Sequence, residues 1–152
     1  MSPESQAPST DEIEIPEAHA EILAANVQGL LSTIRHKDGL ISTNPVSYVW
    51  DGECVRVSTI KGRVKVRNLL ANPTVTFCVV HAADPTKYVE LRGTASIEDD
   101  PERAFLQAQF RRTSGGHDAP ADLDPPDSER VVVRIHPKQS SSPLLYGGRF
   151  SR

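Results

Sequence analysis

The residues of this chain best suited to chemistry fall in one short stretch, Ser58-Thr59-Ile60-Lys61-Gly62-Arg63-Val64-Lys65-Val66-Arg67-Asn68-Leu69. Two hydroxyl side chains are followed there by Lys61, Arg63, Lys65 and Arg67, where a strand end gives way to a helix start. A helix N-terminus exposes unpartnered backbone N–H groups and the positive end of the macrodipole. Hydroxyls and cations gathered at that point form an anion site, above all for phosphate. The whole chain of 152 residues carries a net charge of −3, so this cluster is a local concentration of positive charge in a mildly acidic protein. That balance points to a small phosphorylated ligand rather than a nucleic acid, which favours a broad basic face.

The other reactive residue types add little to this. His19, His36, His81, His117 and His136 have no partner at nucleophile or metal spacing and read as surface residues. Cys54 and Cys78 lack C-x-x-C spacing and lie in strand-like apolar runs, which reads as structural burial. Tyr48 and Trp50 fit either a ring pocket or plain packing. Arg130 fits either a pair with an acid or a reach toward the ligand. No catalytic side chain and no metal site can be named. The lack of an acid–base pair is consistent with hydride transfer, in which a bound cofactor carries the chemistry.

The elements that position these residues follow from periodicity. The length suits one domain with its own core. Apolar runs such as 77–80 are too short to span a membrane, and the first residues lack the pattern of a secretory signal, so the expected location is cytoplasmic. Residues 1–14, rich in Pro, Ser and acids, read as a disordered tail. A helix opens at Pro16-Glu17, carries Ile22, Leu23 and Val27 as its stripe, and is expected to end near Gly29. A meander follows, with strands over 30–34, 40–49 and 54–58 and turns at 36–39 and 50–53. Residues 61–67 also alternate with period two, but a strand from 54 to 67 would exceed the usual limit of about 10 residues. The stripe of Val66, Leu69 and Leu70 favours a helix, stopped by Asn72-Pro73. Strands over 75–80 and 88–97 come next. A helix is expected with Asp100 as N-cap and Pro101 in its first turn, fading by Gly115-Gly116. A Pro- and Asp-rich loop over 117–129 leads to a last strand at 131–135, and 139–152 reads as a C-terminal tail. The core domain therefore covers 15–138. Its class is mainly β with flanking α: a split antiparallel β-barrel of about six strands with two or three short helices.

The order of these pieces resembles the pyridoxamine 5′-phosphate oxidase-like split β-barrel flavoproteins, most nearly the actinobacterial members that use the deazaflavin coenzyme F420. The resemblance rests on Leu31-Ser32-Thr33-Ile34 with Asp38-Gly39, on Ser58-Thr59, on Arg63-Val64-Lys65-Val66-Arg67-Asn68-Leu69 with Asn72-Pro73, on Tyr88-Val89-Glu90-Leu91-Arg92-Gly93-Thr94-Ala95, and on Glu129-Arg130-Val131-Val132-Val133-Arg134-Ile135-His136-Pro137. It implies a homodimer with two cofactor sites at the subunit interface. It implies that Arg63 and Lys65 hold the cofactor phosphate, that Ser58, Thr59 and Asn68 add hydrogen bonds, and that Asn44 lies near the ring system. Lys61 and Arg67 become partners for the coenzyme's polyglutamate tail. The further basic and aromatic residues with which the family's oxidases hold pyridoxal phosphate near the C-terminus are missing, so vitamin B6 oxidation is not implied.

The expected function is accordingly an F420-dependent reductase delivering hydride to a small organic substrate. The alternatives are an FMN-dependent enzyme of the same fold and a non-catalytic flavin or haem carrier. A nucleic-acid-binding barrel fits poorly with the acidic balance and the missing stripe of stacking aromatics.

Overall fold

Alternating burial organises the sheet. Val55, Val57 and Thr59 point inward from one strand, Val75, Phe77 and Val79 from a second, and Val131, Val133 and Ile135 from a third. The computed structural model describes residues 12–150. Its elements are α1 (Glu17–Ala25), β1 (Gln28–Ile34), β2 (Ile41–Ser47), β3 (Val49–Trp50), β4 (Val55–Ile60), α2 (Val64–Ala71), β5 (Thr74–Val80), β6 (Tyr88–Asp99), α3 (Ala104–Thr113), β7 (Arg130–Ser141) and a short 3-10 turn at Leu145–Gly148. The strands form one antiparallel sheet in the order β2-β1-β5-β6-β7-β4-β3. The sheet curls until β2 approaches β4, giving the split barrel. Leu31, Phe77, Leu91, Val133 and Ile135 fill it, with Leu23 of α1 and Leu69 of α2 packed in.

Several elements differ from the sequence expectation, each for a local reason. The first helix stops at Ala25, short of Gly29, because the buried Asn26 side chain takes over the end. Its Nδ2 donates to the Ile22 carbonyl at 2.7 Å, while its Oδ1 accepts from the Ala82 N–H at 2.8 Å. Gly29 belongs instead to β1, where a Cβ would lie 2.3 Å from Phe77 Cζ. The strand expected over 40–49 divides into β2 and β3, which gives seven strands among the described residues. Tyr48 makes the break: fully buried, it donates its hydroxyl to the Leu23 carbonyl at 2.6 Å and packs edge-on against Phe77. Both Tyr48 and Trp50 are therefore packing residues.

The third helix begins at Ala104, later than Asp100 and Pro101 suggested. Pro101 and Glu102 form a turn and Arg103 takes a left-handed backbone (φ 57°). Asp100 still caps the helix, from a distance, by accepting from the N–H groups of Phe105 (3.2 Å) and Leu106 (3.0 Å). The last strand runs on from Arg130 to Ser141, beyond the expected 131–135 and into the stretch assigned to the tail. Pro137 is tolerated because it faces Gly93 at a β-bulge, where the backbone is so close that a Cβ on Gly93 would meet His136 O at 2.0 Å. At the other end, the expected tail over 1–14 lies mostly outside the described residues. Its described part docks on β7: Ile13 N–H donates to the Pro137 carbonyl and Glu12 pairs with His136.

Candidate functional site

The turn between β4 and α2 sets the site. Arg63 N–H donates to the Ile60 carbonyl at 3.0 Å, closing a tight turn at Gly62, and Arg63 then serves as N-cap in extended conformation. No side chain caps this helix, and the N–H groups of Val64 and Lys65 have no acceptor among the described residues. The inner face of α2 is fixed by the buried Val66, Leu69 and Asn68. Asn68 is a structural clamp: its Nδ2 donates to Thr33 Oγ1 at 3.0 Å, and its Oδ1 accepts from His36 N–H (3.1 Å) and from His36 Nδ1–H (2.9 Å). The free end of the helix is thus held against β1 and the β1–β2 turn.

A cleft of about 470 Å³ opens in front of that helix end. Its walls are Thr33 of β1, Ser42 and Asn44 of β2, Ser58, Thr59 and Ile60 of β4, the first turn of α2 with Arg63, Val64, Lys65 and Asn68, and Arg130 at the start of β7. Arg63 and Lys65 form no ion pair among the described residues. Lys65 is half-buried, and desolvation, aided by the Arg63 charge, pushes its ammonium below the ordinary lysine range. Two unpaired cations, free N–H donors and hydroxyl groups in one cleft are the donor set a phosphate requires.

A second cleft of about 620 Å³ shares Ser42, Val64 and Asn68 with the first and continues along Arg35, His36, Lys37 and Arg67. Arg35 is engaged with Asp38 at 3.0 Å, whereas Lys37 and Arg67 have no ion-pair partner among the described residues. Of the residues singled out from the sequence, Asn44, Ser58, Thr59, Arg63, Lys65 and Asn68 meet at the first cleft and Arg67 lines the second. Lys61 is placed elsewhere: its ammonium pairs with Glu129 at 3.3 Å. Sequence reasoning missed Thr33 and Ser42, which sit opposite each other in the β1–β2 register. The histidines expected at the surface divide: His36 and His117 are exposed, His36 also bracing Asn68, whereas His19, His81 and His136 are partly buried and contact Ser140, Asn26 and Ser96 (2.7 Å).

A model of the pyridoxamine 5′-phosphate oxidase family matches residues 15–142, which takes in the whole sheet and every cleft residue. The chain belongs to that family. Within the pyridoxamine 5′-phosphate oxidase fold, a solved structure named as an F420 reductase is 33% identical to this chain, with a TM-score of 0.73, and the match covers 84% of this chain and 98% of the other. The crystal structure of the conserved hypothetical protein Rv2991 from Mycobacterium tuberculosis is 23% identical (TM-score 0.66; 90% of this chain, 88% of the other). That of a FAD-binding protein from Mesorhizobium loti is 21% identical (TM-score 0.58; 84% and 94%). These last two show the shared fold alone. No curated protein matches. Among the described residues no helix is long and apolar enough to cross a membrane.

Proposed function

We propose that this member of the pyridoxamine 5′-phosphate oxidase family is an F420-dependent oxidoreductase that reduces a small organic substrate, in the form of a homodimer. The observation that carries the reading is the pair Arg63 and Lys65, unpaired among the described residues and gathered with the free N–H groups of the α2 first turn in one cleft. Those groups fit a cofactor phosphate, with Ser58 and Thr59 completing the donor shell. Asn44, Thr33 and Ser42 supply the polar wall on the opposite side for the ring system. The continuation past Ser42 and Val64 to Lys37 and Arg67 favours a cofactor with further anionic groups beyond its phosphate, as the polyglutamate tail of F420 provides and FMN does not. The neighbour named as an F420 reductase supports the same choice.

A reduced deazaflavin held by Arg63, Lys65 and the first turn of α2 would supply hydride to an electron-poor C=C or C=N, with solvent water supplying the proton that completes the reduction. The chain's part is to bind, to orient and to set the local field, and no side chain in the cleft is assigned to proton transfer. A second copy fits the outer face of β2, β1 and β5, where Ile41 (74%), Leu30 (41%) and Val80 (49%) are exposed beside Pro45 and Cys78. The test is a paired titration of the apoprotein with coenzyme F420 and with FMN, followed by fluorescence. Tighter binding of F420, by tenfold or more, is the expected result. Tighter binding of FMN moves the protein to the flavin-using branch, and binding of neither leaves the non-catalytic carrier reading.

A further inference from the structure

Arg130 lines the cleft in an unusual state of restraint. Its side chain is 11% exposed and lies against Asp124, itself 12% exposed. Arg130 Nε donates to Asp124 Oδ2 at 2.8 Å and Nη2 donates to Oδ1, a two-pronged fork of the kind only arginine forms. The remaining nitrogen, Nη1, lies 3.4 Å from Ser58 Oγ on the cleft wall. Asp124 does not itself line the cleft; it belongs to the Pro- and Asp-rich loop over 117–129, with Arg103 Nη2 at 4.0 Å. Hydrogen bonds from Arg130 hold the Asp124 carboxyl below the usual carboxylate range despite its burial, and the charges of Arg103 and Arg63 act in the same direction.

A free arginine loses much rotamer freedom when it grips an anion, and one already locked on two of its edges loses little. We infer that Arg130 is a third cationic ligand of the cleft, beside Arg63 and Lys65, and that Asp124 is the positioning residue that aims its Nη1 edge at the bound anion. This rests on the reading of the cleft as a phosphate site. The loop over 117–129 is on this account part of the binding machinery, since the carboxylate that orients Arg130 is its contribution.

The test separates a role toward phosphate from a role in folding. Wild type, Asp124→Asn, Asp124→Glu and Arg130→Lys are titrated with coenzyme F420 and its phosphate-free deazaflavin chromophore, and with FMN and riboflavin. The quantity read is the ratio of affinities within each pair. Asp124→Asn and Arg130→Lys are each expected to lower the ratio about tenfold, with little change for the phosphate-free member. The double variant is expected to lose no more than either alone, and Asp124→Glu to recover part of the loss. An unchanged ratio, or an equal loss for both members of a pair, overturns the proposal. A ratio near one in wild type refutes the phosphate reading of the cleft itself and takes this proposal with it. Should Asp124→Asn fail to fold, Arg130→Lys carries the same comparison.

Discussion

Replacing Lys65 by Met is expected to move affinity and stability in opposite directions. The ammonium is half-buried, has no ion-pair partner among the described residues and stands beside Arg63. Desolvation first, and Arg63 second, hold its pKa below the ordinary value. A lysine with a depressed pKa in the folded state binds fewer protons there than in the unfolded chain. Stability therefore rises with pH between the folded-state pKa and the unfolded value, and the charge is a standing cost at lower pH. Methionine keeps most of the stem and removes the cost. Because the group is partly solvated and screened, the gain is only about 0.5 kcal/mol in the apoprotein. A charge-assisted hydrogen bond to phosphate contributes about 1.5–3 kcal/mol, so its loss should weaken F420 about 10- to 150-fold. Urea denaturation of both apoproteins near neutral pH and again near the lysine range checks the first half, and the stability difference should shrink at the higher pH. Fluorescence titration checks the second. An apoprotein destabilised by more than about 1 kcal/mol with unchanged affinity would show that Lys65 serves packing and refute the reasoning.

Asn68→Ala should cost about 1–3 kcal/mol in urea unfolding, because it strips the buried Thr33 hydroxyl and the His36 donors of their partner. It should also weaken cofactor binding by loosening the first turn of α2. Gly29→Ala should cost about 1–3 kcal/mol by overpacking against Phe77, and Phe77→Leu in the same chain should return part of it. Asp100→Ala removes the two bonds that start α3 and should cost about 1 kcal/mol, read as a lowered thermal midpoint. Leu30→Glu places a charge on the outer sheet face and should shift the dimer to monomer in sedimentation velocity; a monomeric wild type would refute that arrangement.

The legible part of the site is the part whose chemistry is local in sequence. Ser58, Thr59, Arg63 and Lys65 announce themselves because one turn and one helix end bring them together. Thr33 and Ser42 reach the cleft only through the β1–β2 register. The Asp124–Arg130 fork depends on the path of an irregular loop, which periodicity does not describe. In the fold, strand length keeps 61–67 out of β4, as observed, but for an incomplete reason, and the strand runs to Ile60 rather than ending at 58. β6 and β7 each run to 12 residues, so length is no barrier, and the turn between Ile60 and Arg63 is what ends the strand. That the last strand continues through Pro137 is not legible near that residue, because the bulge that absorbs it is formed by Gly93 on another strand.

The place of β7 in the sheet has a consequence for how the molecule is made. The last strand in chain order among the described residues is not added at an edge; it is inserted between β6 and β4. Until it arrives, both neighbours expose unpaired backbone groups, and the nascent chain carries open edges that attract other strands. A premature stop shortly before Arg130 would therefore not yield a slightly shorter protein. It would yield two disconnected sheet fragments with no Arg130 and no closed cleft, a candidate for chaperone retention and degradation.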